Sequence, residues 1–108
     1  MGFFHYEKRT FFLKKNLSVY KASELLNQIS KNYHEEKNKE GEFFLDLSQV
    51  ESMDTAILQI LISLKKTVEL NKGKLELKKK SEKVEELLTL LGLPKNLFSQ
   101  IGLENELG

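Results

Sequence analysis

Residues 43–60 read Phe43-Phe44-Leu45-Asp46-Leu47-Ser48-Gln49-Val50-Glu51-Ser52-Met53-Asp54-Thr55-Ala56-Ile57-Leu58-Gln59-Ile60. Phe43 to Leu47 is a nearly continuous apolar run, the pattern of a strand buried on both faces. From Ile57 the period changes. Ile57, Ile60, Leu61, Leu64 and Val68 fall at i, i+3, i+4, i+7 and i+11, which is one stripe of a helix. A buried strand that passes into an apolar helix across Asp54-Thr55 is half of an α/β unit, and the flanking segments supply the rest.

Upstream, Phe3-Phe4-His5-Tyr6 and Thr10-Phe11-Phe12-Leu13 are separated by Glu7-Lys8-Arg9. They predict two short strands, over residues 3–8 and 10–14, joined as a hairpin. Ala22, Leu25, Leu26, Ile29 and Tyr33 then trace one face of a first helix. The charged run Glu35 to Glu40 with Gly41 reads as a loop. Downstream, the second helix should stop near Asn71-Lys72-Gly73, with Gly73 as the stop signal. Leu75 and Leu77 alternate with Lys74, Glu76 and Lys78, which predicts an edge or half-exposed strand. A third helix carries Val84, Leu87, Leu88 and Leu91, with Ser81 as its N-cap and Gly92 and Pro94 closing it. The tail from Lys95, with Leu97, Phe98, Ile101 and Leu103, has room for a further short element. The expected order is β-β-α-β-α-β-α, a single α/β domain over residues 1–108 with a mixed sheet and right-handed crossovers. No linker, low-complexity segment or internal repeat interrupts it.

Composition narrows the chemistry. The 108 residues hold 17 Lys and Arg against 16 Asp and Glu, a formal net charge of +1. That balance argues against a nucleic-acid binder driven by counterion release. The chain has no cysteine, which excludes disulfides, Cys-ligated zinc, iron–sulfur clusters and thiol catalysis. No Gly-rich phosphate loop is present. His5 and His34 stand far apart and outside any metal-ligand spacing, so no metal or cofactor is expected. Glu35-Glu36 and Glu85-Glu86 read as surface charge. Lys78-Lys79-Lys80 reads as a solvated turn before it reads as a phosphate patch. No catalytic constellation emerges, and the chain is not expected to be an enzyme. The start Met1-Gly2-Phe3-Phe4 lacks the pattern of a signal peptide. The longest apolar run, 56–64, is broken by Gln59 and Ser63 and is too short for a membrane span. A cytoplasmic location is the expectation.

Asp54-Thr55 has two readings. Asp and Thr are both good N-cap residues, and either can satisfy amides of the first helical turn. Alternatively the Thr55 hydroxyl is displayed at the positive end of the helix dipole, where a phosphate is tolerated and changes the surface by nearly two charges. Leu58 and Ile62 lie one turn apart and about 100° around the axis from the core stripe. They either form a partly exposed apolar patch beside Thr55 or pad the flank of the core.

A resemblance bears on that choice. Phe44-Leu45-Asp46-Leu47-Ser48-Gln49-Val50, then Met53-Asp54-Thr55-Ala56 and Leu58-Gln59-Ile60-Leu61, looks like the core of the STAS family, the sulfate-transporter and anti-sigma-factor-antagonist domains. That family has a strand ending "LDLS-x-V", a short loop, and Asp-Ser/Thr opening an apolar helix. Gly73-Lys74-Leu75-Glu76-Leu77 resembles its next strand, and Val84 through Leu91-Gly92-Leu93 its following helix. The likeness is clearest over residues 10–93. It implies a protein-interaction regulator of bacterial transcription, with Thr55 as the phosphorylated residue. Asp54, Thr55, Ala56, Leu58 and Ile62 would form the surface for an anti-sigma factor or serine-threonine kinase. The alternative it implies is a STAS subunit docking on the ATPase of a lipid-transport ABC complex. Two departures stand out. Antagonists usually continue Ser/Thr-Gly where this chain has Ala56-Ile57, and the N-terminal strands are short, which implies a reduced version of the fold; Asn16-Leu17 stands where the family usually has Gly-x-Leu.

Overall fold

A computed structural model describes residues 2–93 and 99–100. Strands β1 (Phe4–Glu7) and β2 (Thr10–Leu17) lead through a 3-10 turn, Val19–Lys21, into α1 (Ala22–Glu35). Then follow β3 (Gly41–Met53), α2 (Thr55–Leu70), β4 (Gly73–Lys80), α3 (Glu82–Leu90) and a two-residue β5 (Ser99–Gln100). The sheet order is β1-β2-β3-β4-β5. Among the described strands only the β1–β2 pair is antiparallel. The expected order β-β-α-β-α-β-α is therefore observed, and β5 extends it. The rest of the tail, including Pro94, Leu97, Phe98, Ile101 and Leu103, lies outside the described residues.

The hairpin closes through Lys8 and Arg9, both left-handed at φ 50° and 63°. Two such residues make a type I′ turn, whose twist matches the flanking strands but which side chains other than Gly, Asn and Asp resist. Contacts of the Arg9 side chain offset that cost. Its guanidinium donates to the carbonyls of Glu42 (2.8 Å), Asn38 (3.1 Å) and Glu40 (2.9 Å). It also lies 4.1 Å from the centroid of the Phe43 ring and 3.5 Å from the Glu36 carboxylate. Glu36 accepts a 2.6 Å hydrogen bond from the Tyr6 hydroxyl. Burial, and then that carboxylate, push the Tyr6 phenol well above its ordinary pKa.

Phe11, Leu13, Phe43, Leu45, Leu75 and Leu77 line the inner face of the sheet. They meet Leu25, Ile29 and Tyr33 of α1 and Ile57, Leu61, Leu64 and Val68 of α2 in one apolar cluster. Several expectations need correcting. Leu26 is 45% exposed, because Leu25, Ile29 and Tyr33 at i, i+4 and i+8 already fill the α1 face. Ile60 is only half-buried, and Leu58 takes its place in the core. Leu91 falls beyond the end of α3 and is 40% exposed. β4 is not an edge strand, since Glu76 and Leu77 pair with Ser99 and Gln100. Glu76 is accordingly buried, with Lys74 Nζ 3.1 Å from its carboxylate. Gly73 does not stop α2. Lys72 takes the left-handed position after the helix at φ 67°, and a Cβ on Gly73 would lie 2.7 Å from the Lys39 carbonyl oxygen.

The largest difference is the length of β3, thirteen residues instead of five. Its pairing with β2 continues from Thr10–Phe44 to Leu17–Met53 across register slips after Phe12 and after Lys15. Lys15 is left-handed there, at φ 69°. Phe43, Leu45 and Leu47 are buried at period two, after which Val50 and Met53 are buried at period three. Bulges change the period because each inserts an unpaired residue.

Candidate functional site

At the far end of β3 the chain passes from strand to helix over the single residue Asp54, with no loop between. Asp54 occupies the N-cap position of α2 in an extended conformation, φ −75° and ψ 157°. Its side chain makes no cap bond to its own helix. Oδ2 instead accepts the Val19 amide at 2.7 Å, and the Asp54 amide donates to the Leu17 carbonyl at 2.9 Å. The cap reading of Asp54 is thus right about position and wrong about target. The carboxylate serves the neighbouring turn. The Asp54 carbonyl accepts from Ile57 and Leu58, while the amides of Thr55 and Ala56 are left without a capping side chain.

Thr55 is exposed, and its hydroxyl makes no hydrogen bond to the described residues. Ala56 and Ile62 are half-buried. Leu58 is 3% exposed and packed in the core, so it offers no surface to a partner. The physical reason is the wide apolar stripe of α2, which meets the sheet on one flank and the Val19–Lys21 turn near its start. Exposed apolar surface comes from the turn that Asp54 holds: Val19 is 51% exposed and Tyr20 is 94% exposed. Sequence reading missed both, because a three-residue turn carries no period. The one available cue was a Val-Tyr pair just ahead of the helical period that begins at Ala22.

On the other flank, Ser52, Met53, Leu87 and Leu90 line a shallow groove of about 250 Å³ between the end of β3 and α3. Ser81 caps α3 as expected. Its Oγ accepts the Val84 amide at 3.2 Å and donates to the Val50 carbonyl at 2.6 Å, which fixes α3 against β3. Asn16 Oδ1 accepts a 2.7 Å hydrogen bond from the Ser52 hydroxyl and closes the end of the β2–β3 pair. Asp46 Oδ1 of the "LDLS" stretch accepts both the amide and the hydroxyl of Ser48, at 3.0 and 2.7 Å, so this pair shapes the strand.

Elsewhere the titratable groups have local roles. His5 packs at a tilt against Phe12, ring centroids 5.6 Å apart, and lies 3.0 Å from Glu7, and that last contact holds the Glu7 carboxyl below its ordinary range. His34 is exposed at the end of α1. Lys80 pairs with Glu85 at 2.8 Å, and Lys78 and Lys79 are exposed. Among the described residues no group of three His, Cys, Asp or Glu side chains could hold a metal ion. No described helix is long and apolar enough to cross a membrane.

Comparison with known proteins places this geometry. The sequence matches the STAS domain over residues 6–105. No curated protein matches it at a significant level. Among solved structures, the chain resembles TM1081 of Thermotoga maritima, which is described as a candidate anti-sigma factor antagonist. The TM-score is 0.70 at 21% identity, over 96% of this chain and 89% of that one. The NMR structure of TM1081 gives a TM-score of 0.68 at 23% identity, over 95% and 82%. The anti-sigma factor antagonist SpoIIAA in its unphosphorylated form gives a TM-score of 0.69 at 14% identity, over 96% and 90%. At these identities the likeness is one of fold.

Proposed function

The chain belongs to the STAS domain family, and on that premise we propose that it is a non-enzymatic, partner-switching regulator of the antagonist type. In its unmodified form it docks on an anti-sigma factor or serine-threonine kinase through the start of α2 and the adjoining turn. Asp54, Thr55, Ala56 and Ile62 contribute to that surface, with Val19 and Tyr20 as its apolar anchors. One observation carries the reading. Thr55 places an exposed hydroxyl, without a hydrogen bond among the described residues, at the N-terminus of an apolar helix whose cap, Asp54, holds the amide of the exposed Val19.

Phosphorylation of Thr55 is the switch. The Thr55 Oγ1 forms a bond to the γ-phosphorus of a nucleoside triphosphate held by the kinase. The bond to the bridging oxygen breaks, the diphosphate leaves with its electron pair, and the hydroxyl proton passes to a base on the kinase. The product dianion is accommodated by the positive end of α2 and by the uncapped amides there. The fold survives, and the docking surface acquires charge in an apolar contact, which weakens binding. Ala56-Ile57 does not hinder this at the surface, because Ile57 is buried and Ala56 is small.

The test is capture from native lysate by wild type, Thr55→Ala and Thr55→Glu, with partners identified by mass and then purified for titration. A kinase or anti-sigma factor should bind wild type and Thr55→Ala alike. Its binding to Thr55→Glu should be weaker by roughly a hundredfold, about 2.7 kcal/mol. Equal binding by all three variants would sink the switch. An ABC-transporter ATPase held equally by all three would move the chain to a transport complex.

A further inference from the structure

We propose that Asp54 is a positioning residue that couples the charge on Thr55 to the seating of the Val19–Lys21 turn. Phosphorylation would then withdraw the Val19–Tyr20 face as well as place charge beside it. This rests on the reading that Thr55 is modified and that this end of the molecule docks a partner.

The argument begins with an N-cap whose side chain is engaged elsewhere. An Asp at this position ordinarily bonds an amide of its own first turn. Asp54 does not, and its Oδ2 holds the Val19 amide at 2.7 Å in a charge-assisted bond. Among the described residues this is the only hydrogen bond between the turn and the cap of α2. Ser18 makes no side-chain cap bond to the turn, and the turn buries none of its residues. Its far end is tied more firmly, by Lys21 N to Ser18 O at 2.9 Å, by the Lys21 ammonium donating to the Asn16 carbonyl and by that ammonium's place 5.4 Å from the Phe3 ring centroid, so it is the Val19–Tyr20 end that depends on Asp54. A segment with few buried contacts opens at low cost.

A phosphate on Thr55 would stand one residue from the Asp54 carboxylate, and the two like charges repel. Both are drawn to the same positive end of α2, where the Thr55 and Ala56 amides lack a capping side chain. The phosphate takes those amides, the carboxylate turns toward solvent, and Val19 loses its acceptor. The turn then samples open positions, and Tyr20 no longer stands where an unmodified chain presents it. Asp54 thereby converts a local charge into a shape change some residues away along the surface.

Amide hydrogen exchange on the uniformly labelled full chain reads this directly. The Val19 amide should exchange at least tenfold faster in Thr55→Glu and in Asp54→Ala. It should stay within threefold of wild type in Thr55→Gln and in Asp54→Asn, whose side-chain oxygen still accepts. The Leu61 and Leu64 amides report whether each variant is folded and should not change. Equal Val19 exchange in Thr55→Glu and Thr55→Gln would overturn the coupling, even if Thr55→Glu had lost its partner. Faster Val19 exchange in Thr55→Glu with partner affinity intact would uphold the coupling and overturn the docking reading beneath it.

Discussion

At the beginning of β3, Arg9 reaches from the hairpin turn to three carbonyls, one carboxylate and one aromatic face. At the far end of the same strand, the Val19–Lys21 turn is joined to the cap of α2 through one carboxylate. Both places carry an exposed connection between elements, and both depend on a charged side chain. They differ in redundancy. A turn held by a fork of five donors keeps its left-handed residues in place at all times. A turn whose first residue is held to the helix cap by one bond can have that end released by one event. The first arrangement suits a scaffold and the second a surface that changes.

The contrast can be broken first at Leu58. Because it is buried beneath the candidate surface, Leu58→Ala should lose about 3 kcal/mol of stability in urea denaturation, as core truncations do. A loss under about 0.5 kcal/mol together with weakened partner binding would place Leu58 on the surface after all. Arg9→Ala comes next, at roughly 2–3 kcal/mol from the lost carbonyl bonds and ring contact, or a fall of about 10–20 °C in Tm. Arg9→Lys should recover less than half, since an ammonium cannot span three carbonyls.

Tyr20→Ala sharpens the other side. Stability should stay within about 0.5 kcal/mol of wild type, while partner affinity drops at least tenfold, about 1.4 kcal/mol, as expected of an aromatic anchor. The smallest effect concerns pH. The folded chain raises the Tyr6 pKa above its ordinary value of 10.0, so above that pH the unfolded chain loses the proton first. The unfolded state then binds fewer protons than the native one, and stability declines as pH rises. Tyr6→Phe should flatten that decline between about pH 9.5 and 11 in equilibrium unfolding. An unchanged slope would mean that the Tyr6–Glu36 contact does not persist in solution.

The same contrast explains what could be read from the residues alone. Periodic burial was legible for the Ile57, Leu61, Leu64 and Val68 stripe of α2, for the Leu25–Ile29–Tyr33 face and for Leu75 and Leu77 of β4, which all follow from helical or strand geometry. The hairpin was legible from its two aromatic runs, and the start of α2 from Asp54-Thr55. The second half of β3 was not, because register slips change the burial period from two to three and disguise a strand as a loop. The burial of Glu76 depended on a strand twenty-three residues later. The target of Asp54 was hidden for a similar reason. Local sequence says that Asp suits an N-cap, but only the path of β2 and the turn after it brings the Val19 amide within reach. Val19 and Tyr20 escaped notice because exposure of a non-periodic turn is decided by its neighbours.

The slips between β2 and β3 have one more consequence. Upstream of them the strands are locked, since shifting Phe43 or Leu45 by one residue would turn apolar side chains toward solvent. Downstream, the pairing has already absorbed unpaired residues and a left-handed Lys15. That stretch therefore acts as a reservoir of length. A residue gained or lost between Ser48 and Ser52 can be taken up where the register already breaks, leaving the core upstream undisturbed. Relatives could in this way re-aim the start of α2 toward different partners on an unchanged frame.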